Sequence, residues 1–575
     1  MKVENSLPRA QFRHLTKHFF GRFFDSEVFA GPGIDMHLLA VQILALLVIP
    51  GALRTFLSIY NYFMLAFFSD PMVHQAVLKD EYYFICVSMI LTGFITVFEW
   101  DSLFPDEKDY YNLTPLPIGP RILFFAKLAA LILFIVFANA AINGVPILIF
   151  PWIVLTHGNT LGPGGTSLGA FGAMMYHVGN TASLLLSSLF VFTSFVAIRA
   201  ALPLVCPVRL VRKASRCTQL ALILLLLYAI FSVIKAGHPA VEENGLTYSS
   251  PPFWFLGLFE MLTGHHVLIY GRLAKTACIA STVSCILSIL GYIISYRSSM
   301  QKGFQSSGIV RHPVSIMRKT CSWILHRTVL RGHMERAFYH FVAQTIFRRR
   351  EHFLYCGSFA MVGVALVITV WGYISHDPQQ HLHMLLSFPL ILSFLILVGL
   401  RYVFSVPADI DANWIFKITR KQRLKMSYGG VQTFMFCAAN IPLLAVFVPY
   451  YMFVLDSRLV VMHVLFASAL SLILIKLLLL RFEKLPFACT YIPGKANIKA
   501  FWLPYLLSFA VYSFETTALE LRLLQNVYTY IAFVCIAVAV IIGLNMYRSA
   551  FLKGNNAIRF EEEPENAVNV LTIEG

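Results

Sequence analysis

From about residue 37 to residue 546, long apolar runs alternate with short polar breaks. Runs of roughly 20 apolar residues match the length an α-helix needs to cross a bilayer. Read this way, the pattern predicts twelve spans, near 37–68, 82–98, 122–150, 167–198, 218–234, 275–296, 354–374, 383–404, 429–453, 459–480, 500–517 and 524–546. No stretch shows the period-two alternation of a half-buried strand, so the fold class expected is all-α: a polytopic integral membrane protein in two six-helix halves.

Composition supports that class, because 58% of the 575 residues are hydrophobic and 13% charged, with a mean hydropathy of +0.70. A soluble domain carries roughly 25% charged residues. The net charge of +16 raises the question of nucleic acid, and its distribution answers it. With the N-terminus inside, 36 of the 45 lysines and arginines fall in segments of cytoplasmic parity and six on the opposite side, so the basic excess is a topology signal and both termini are expected to be cytoplasmic. Nucleic acid is not an expected partner; membrane lipids are.

The expected organisation is an N-terminal segment (1–35), a first transmembrane half (36–296), a basic connector (297–352), a second half (353–546) and a tail (547–575). The first segment holds Lys2, Arg9, Arg13, Lys17 and Arg22 among aromatics and lacks the apolar core of a signal peptide, so an interfacial helix is expected near Gln11 to Phe24. Arg54, Lys127 and Lys476 fall inside spans, where a charge needs a partner or a cavity. The ten cysteines lack metal-ligand spacing and read as small apolar-environment residues.

Two cytoplasmic loops stand out. The first, Phe98 to Arg121, carries Trp100, Asp101, Leu103, Phe104, Asp106 and Asp109; the second, within Arg401 to Gly430, carries Asp409, Asp411 and Trp414. Asp106 and Asp109 are one helical turn apart, Leu103 and Phe104 form an apolar pair beside them, and the prolines of LTPLPIGPR would stop a helix there. Such a loop is either a solvated interfacial connection or a docking element for a cytosolic partner. On the other side, WFLGLFEMLTG around Trp254 and Glu260 is apolar with one acid and suits a re-entrant segment, and Glu515 with Glu520 occupies the corresponding turn of the second half. The pair His265 and His266 lacks HxxxH or HExxH spacing, so no metal site and no catalytic residue is expected.

The patches WDSLFPDEKD, LTPLP and RILFFAK, with SPPFWFLGLFE, VPADIDANWIF and PFACTYIPGK further on, resemble export-type ATP-binding-cassette (ABC) permeases, within a group of long bacterial permease-like membrane proteins. The resemblance implies a transport subunit of the inner (plasma) membrane, not itself an enzyme, docked through loops 99–121 and 405–427 to a separate ABC-type ATPase, two copies per chain. ATP and Mg would be bound by that partner, and this chain would bind no cofactor. Consistently, no GxxxxGK[ST] loop occurs; GPGGTSLG at 162–169 and IPGKAN at 492–497 lack its essential positions. The cargo expected is apolar or amphipathic, since the spans hold few ionisable groups. The alternatives are a secondary transporter needing no ATPase and, on the histidine pair alone, a lipid-modifying transferase.

Overall fold

The computed structural model describes residues 7–23, 36–65, 70–104, 118–157, 169–235, 249–302, 325, 327, 330–374, 380–408, 421–480, 482, 485–488 and 498–554. These residues are mostly helical, without a strand among them, and form two units, Met1–Ile309 and Val310–Gly575. Among the described residues, eleven helices are long and apolar enough to cross a membrane. The chain is an all-α, multi-pass membrane protein.

The first unit runs α1 (Leu7–Arg22), α2 (Met36–Leu65), α3 (Asp70–Phe98), α4 (Pro120–His157), α5 (Ala170–Val205), α6 (Val208–Lys235), α7 (Pro251–Thr263) and α8 (Leu268–Lys302). The basic helix foreseen near the N-terminus is α1, and it lies on α4: Phe23 stacks on Phe134 at 4.3 Å, and Leu15 and Phe19 join the core with Ala126 and Ala130. The first long run is one helix, α2, closely packed on α4 where Gly51 meets Pro146. Arg54 within it is neutralised by Asp80 of α3, which accepts from its Nε at 2.8 Å and also from Nη2. Pairing removes the cost that an isolated guanidinium would carry there.

The second unit runs α9 (His333–Arg348), α10 (Arg350–Ile374), α11 (Leu382–Val403), α12 (Lys421–Val454), α13 (Ser457–Leu478), α14 (Ile498–Ala510), a π-helical turn (Val511–Glu515), α15 (Thr516–Leu524) and α16 (Val527–Gly554). The 16-residue α9 opens this unit as the 16-residue α1 opens the first, and it packs on α12, the third span of its half, as α1 packs on α4. The α9–α12 contact is made backbone to backbone: a Cβ at Gly430 would stand 2.1 Å from the Glu335 carbonyl oxygen, and one at Gly429 would stand 2.6 Å from its carboxylate.

The eleventh expected span, 500–517, is not one regular helix. The π turn interrupts it, with the buried Tyr512 hydroxyl set against Ser393 at 3.2 Å and Ser471 at 3.5 Å. A π turn inserts a residue into the ladder, which here brings Tyr512 to face α11 and α13. The second expected span also starts earlier than the apolar run suggests, because α3 extends back to Asp70 and carries Asp80 and Glu81 into the unit's interior.

Candidate functional site

The first loop begins as a locked structure. Trp100 is fully buried and its Nε1 donates to Ser215 Oγ at 2.9 Å; Gln219 Nε2 donates to the Val97 carbonyl at 2.8 Å. Lys127 Nζ donates to the Phe104 carbonyl at 2.9 Å, and the Arg199 guanidinium lies over the Trp100 and Phe104 rings, 5.9 and 5.6 Å from their centroids. Leu103 and Phe104 belong to the core with Ala126 and Phe192. An apolar pair at Leu103 and Phe104 offered to a docking partner is not what the structure shows: apolar side chains flanked by two spans gain more by burial than by projecting. Asp101 is exposed. Asp106 and Asp109 lie outside the described residues.

Beside Trp100, Glu99 is buried, and burial pushes its carboxyl up to about 7 against the opposing hydrogen bond with Ser102. A carboxyl whose folded-state pKa is raised favours the folded segment while protonated; that contribution is complete below pH 4.5 and is lost as pH rises through about 7. Protease cleavage within 105–117 is therefore expected to accelerate as pH rises from about 4.5 to about 7 and to level off above that. The acceleration should flatten in Glu99→Gln, and an equal pH response in that variant would refute the assignment.

The start of the second loop is held comparably. The Ala408 N–H donates to the Phe487 carbonyl and the Phe487 N–H to the Phe404 carbonyl, each at 3.0 Å, with Phe487 in the left-handed region at φ 65°. His352 Nε2 sits 3.1 Å from the Val406 carbonyl, and Arg401 donates to the Leu478 carbonyl at 3.0 Å while lying 4.1 Å from the Phe482 ring centroid. Asp409, Asp411 and Trp414 lie outside the described residues.

At the end of α3 remote from the first loop, the chain builds a polar site that residue spacing does not disclose. Ser250 and two prolines open α7, whose prolines suit a first turn because its N–H groups lack helical partners. Thirteen residues span only about 20 Å, too short to cross, and α7 lies among α3, α5 and α8 with Phe253 and Phe255 to Glu260 buried. The helix is thus covered by protein along most of its length. Gly257 permits its approach to α8, since a Cβ there would stand 2.5 Å from Leu273 Cβ. Trp254 rests half-buried against Phe190.

Gly264, at φ 99°, ends α7, and the reversal returns the His265 N–H to the Glu260 carbonyl at 3.0 Å. The same turn brings His265 Nδ1 to 3.3 Å from Glu260 Oε2, while His74 of α3 presents Nε2 at 3.6 Å from that oxygen. The two imidazole rings are 4.6 Å apart between centroids. Burial, with His266 alongside, lowers the proton affinity of His265. Deeper in, Glu81 accepts from Ser183 Oγ at 2.6 Å, and Tyr176 is buried near both carboxyls. Neither carboxylate oxygen of Glu260, nor Oε2 of Glu81, has a hydrogen-bond partner among the described residues.

In the second unit His463 Nδ1 lies 2.9 and 3.1 Å from the two Glu520 oxygens, with both side chains buried. Tyr451 covers the imidazole and donates to the Leu385 carbonyl at 2.7 Å. A cavity of about 20 Å3, room for a water, is lined by Ser393, Asn440, Tyr451, His463 and Ser471. Glu515, singled out with Glu260 from the sequence, is exposed, and the acid inside the unit is Glu520. Each half thus places a buried glutamate, against histidine, on the short helix immediately before its last span.

The class defined by this fold is a multi-pass helical membrane protein with two similarly built halves. Searches of family models, of curated proteins and of solved structures find no match to the chain.

Proposed function

We propose that this chain is the membrane subunit of an ATP-driven exporter of the ABC type, moved by a separate ATPase that docks on the loops 99–121 and 405–427. The observation that carries the reading is the rigid root of both loops. In each half the chain leaving the second span is tied to at least two other elements, by Trp100, Lys127 and Arg199 in one and by Phe404, Ala408 and His352 in the other. A displacement applied to a loop so rooted passes to packed helices, which respond by moving as bodies. A merely solvated connection has no need of such anchoring. The aspartates Asp101, Asp106, Asp109, Asp409 and Asp411 are the groups of the two loops that a basic docking surface would meet.

The chain itself hydrolyses nothing in this account; ATP and Mg belong to the partner, in two copies matching two loops. The membrane would be the cell's inner (plasma) membrane, and cargo of apolar or amphipathic character would pass between α-helices whose outer faces are aliphatic and aromatic. Reversing charge at Asp106→Lys and Asp109→Lys is expected to abolish ATPase association while leaving the melting temperature of the purified chain unchanged. Association retained at wild-type level in that variant would reject the docking role.

A second reading is an ion-coupled transporter, favoured by Glu81 and Glu260, two buried carboxyls with unpartnered oxygens. Transport abolished by a proton uncoupler at constant ATP would favour it over the first.

A further inference from the structure

We propose that His74, Glu260 and His265 bind a divalent transition-metal ion of the zinc type, a site that ties α3 to the α7–α8 turn. One ligand atom from each, His74 Nε2, Glu260 Oε2 and His265 Nδ1, lies within 4.8 Å of the others. The distances of 3.3 and 3.6 Å to Glu260 Oε2 approach the ligand-to-ligand spacing of about 3.3 Å that tetrahedral bonds of 2.0 to 2.1 Å impose. Small rotations of two half-exposed rings complete the closure.

Glu260 supplies the independent observation. Its side chain is 1% exposed, and neither carboxylate oxygen accepts a hydrogen bond among the described residues. A buried carboxylate left so is costly unless a cation faces it, and the nearest basic groups are the two imidazoles that would share the ion. The Thr263 hydroxyl, 3.4 Å from His265 Nδ1, already donates to the Phe259 and Glu260 carbonyls, so ligation at Nδ1 displaces no strong partner.

The donor set selects the metal class. Two imidazoles with one carboxylate suit zinc and its neighbours, whereas calcium and magnesium take six or more oxygens and would find one carboxylate. Three protein ligands leave a fourth position open, which is the arrangement of exchangeable sites rather than closed structural ones. His74 and His265 are 32% and 25% exposed, so the ion has access from the surface at that end of α3. Between His74 and Phe98 the helix runs roughly 36 Å, which places the ion at the far end of α3 from the locked loop. Occupancy would hold α3 and α7 together.

The test uses the full-length chain in detergent, purified without a histidine tag and stripped with a chelator, and titrated with Zn2+ by calorimetry. One Zn2+ per chain is expected, with affinity falling roughly tenfold or more in His74→Ala and again in His265→Ala. The melting temperature of the wild type should rise with Zn2+ and that of the double variant should not, while both match without metal. Co2+ should give the visible absorption of a four-coordinate ion. Glu260→Gln is the third variant, read only if it remains monodisperse. Zn2+ binding of equal affinity and stoichiometry in the His74→Ala/His265→Ala chain, or no binding by the wild type, overturns the proposal.

Discussion

Gly430→Ala is expected to detach α9 from α12 and to destabilise the second unit by about 3 kcal/mol or more, the upper range for overpacking. The new methyl group would stand 2.1 Å from the Glu335 carbonyl oxygen and 3.0 Å from the Tyr339 nitrogen, both backbone atoms that cannot rotate away. Accommodation therefore requires shifting α9 bodily, with loss of the contacts of Phe338 and Val342 in the core. A control is Gly372→Ala in α10, where nothing lies within 4 Å and alanine's better helix propensity favours the helix by up to about 1 kcal/mol. Thermal unfolding in detergent distinguishes them: a large drop for the first and none for the second. Equal melting temperatures would show that α9 does not pack on the glycine pair.

The second large effect concerns Glu520. Replacing it by leucine leaves His463 buried with its Nδ1 partner gone and its Nε2 already without one among the described residues, and breaking a buried pair in this way costs about 3–5 kcal/mol. Replacing both residues by leucine removes the orphaned group along with the pair. The double variant is accordingly expected to recover most of the loss, because an apolar pair of similar volume suits that site. Additive losses in the double variant would show that the two side chains act independently and that the short contact contributes nothing.

The spans were legible because a helix in lipid must be apolar for roughly 20 residues, and no tertiary contact overrides that demand. Their interruptions were less so. α3 begins at Asp70 rather than near residue 82: DPMVHQAVLKDE reads as an interfacial stretch, yet Asp80 and Glu81 turn inward to Arg54 and Ser183. The turn at Val511–Glu515 is invisible to hydropathy, since a π turn changes the ladder and not the composition. Trp100, Leu103 and Phe104 were singled out as docking residues, but sequence cannot say whether an apolar residue there faces outward or into the bundle. The histidine-glutamate sites escaped spacing rules altogether. His74 and Glu260 come from helices distant in sequence, and His463 and Glu520 likewise, so the pairs exist only once the helices pack. The one local signal was Gly264 between Glu260 and His265, a turn that folds the second back toward the first.

The repeat is also clearer in space than in sequence. Each half opens with a 16-residue helix packed on its third span and places a buried glutamate just before its last. Such duplication is a common basis for transport across a membrane.

A separate ATPase, docked on the two rooted loops, is the central claim. Purification of the unmodified chain from its native membrane in mild detergent, followed by mass spectrometry of everything that remains bound, measures this directly. The account predicts a nucleotide-binding ATPase subunit at about two copies per chain, one for each rooted loop. A chain that emerges alone from several detergents, and whose transport stops with a proton uncoupler while ATP is unchanged, would contradict it.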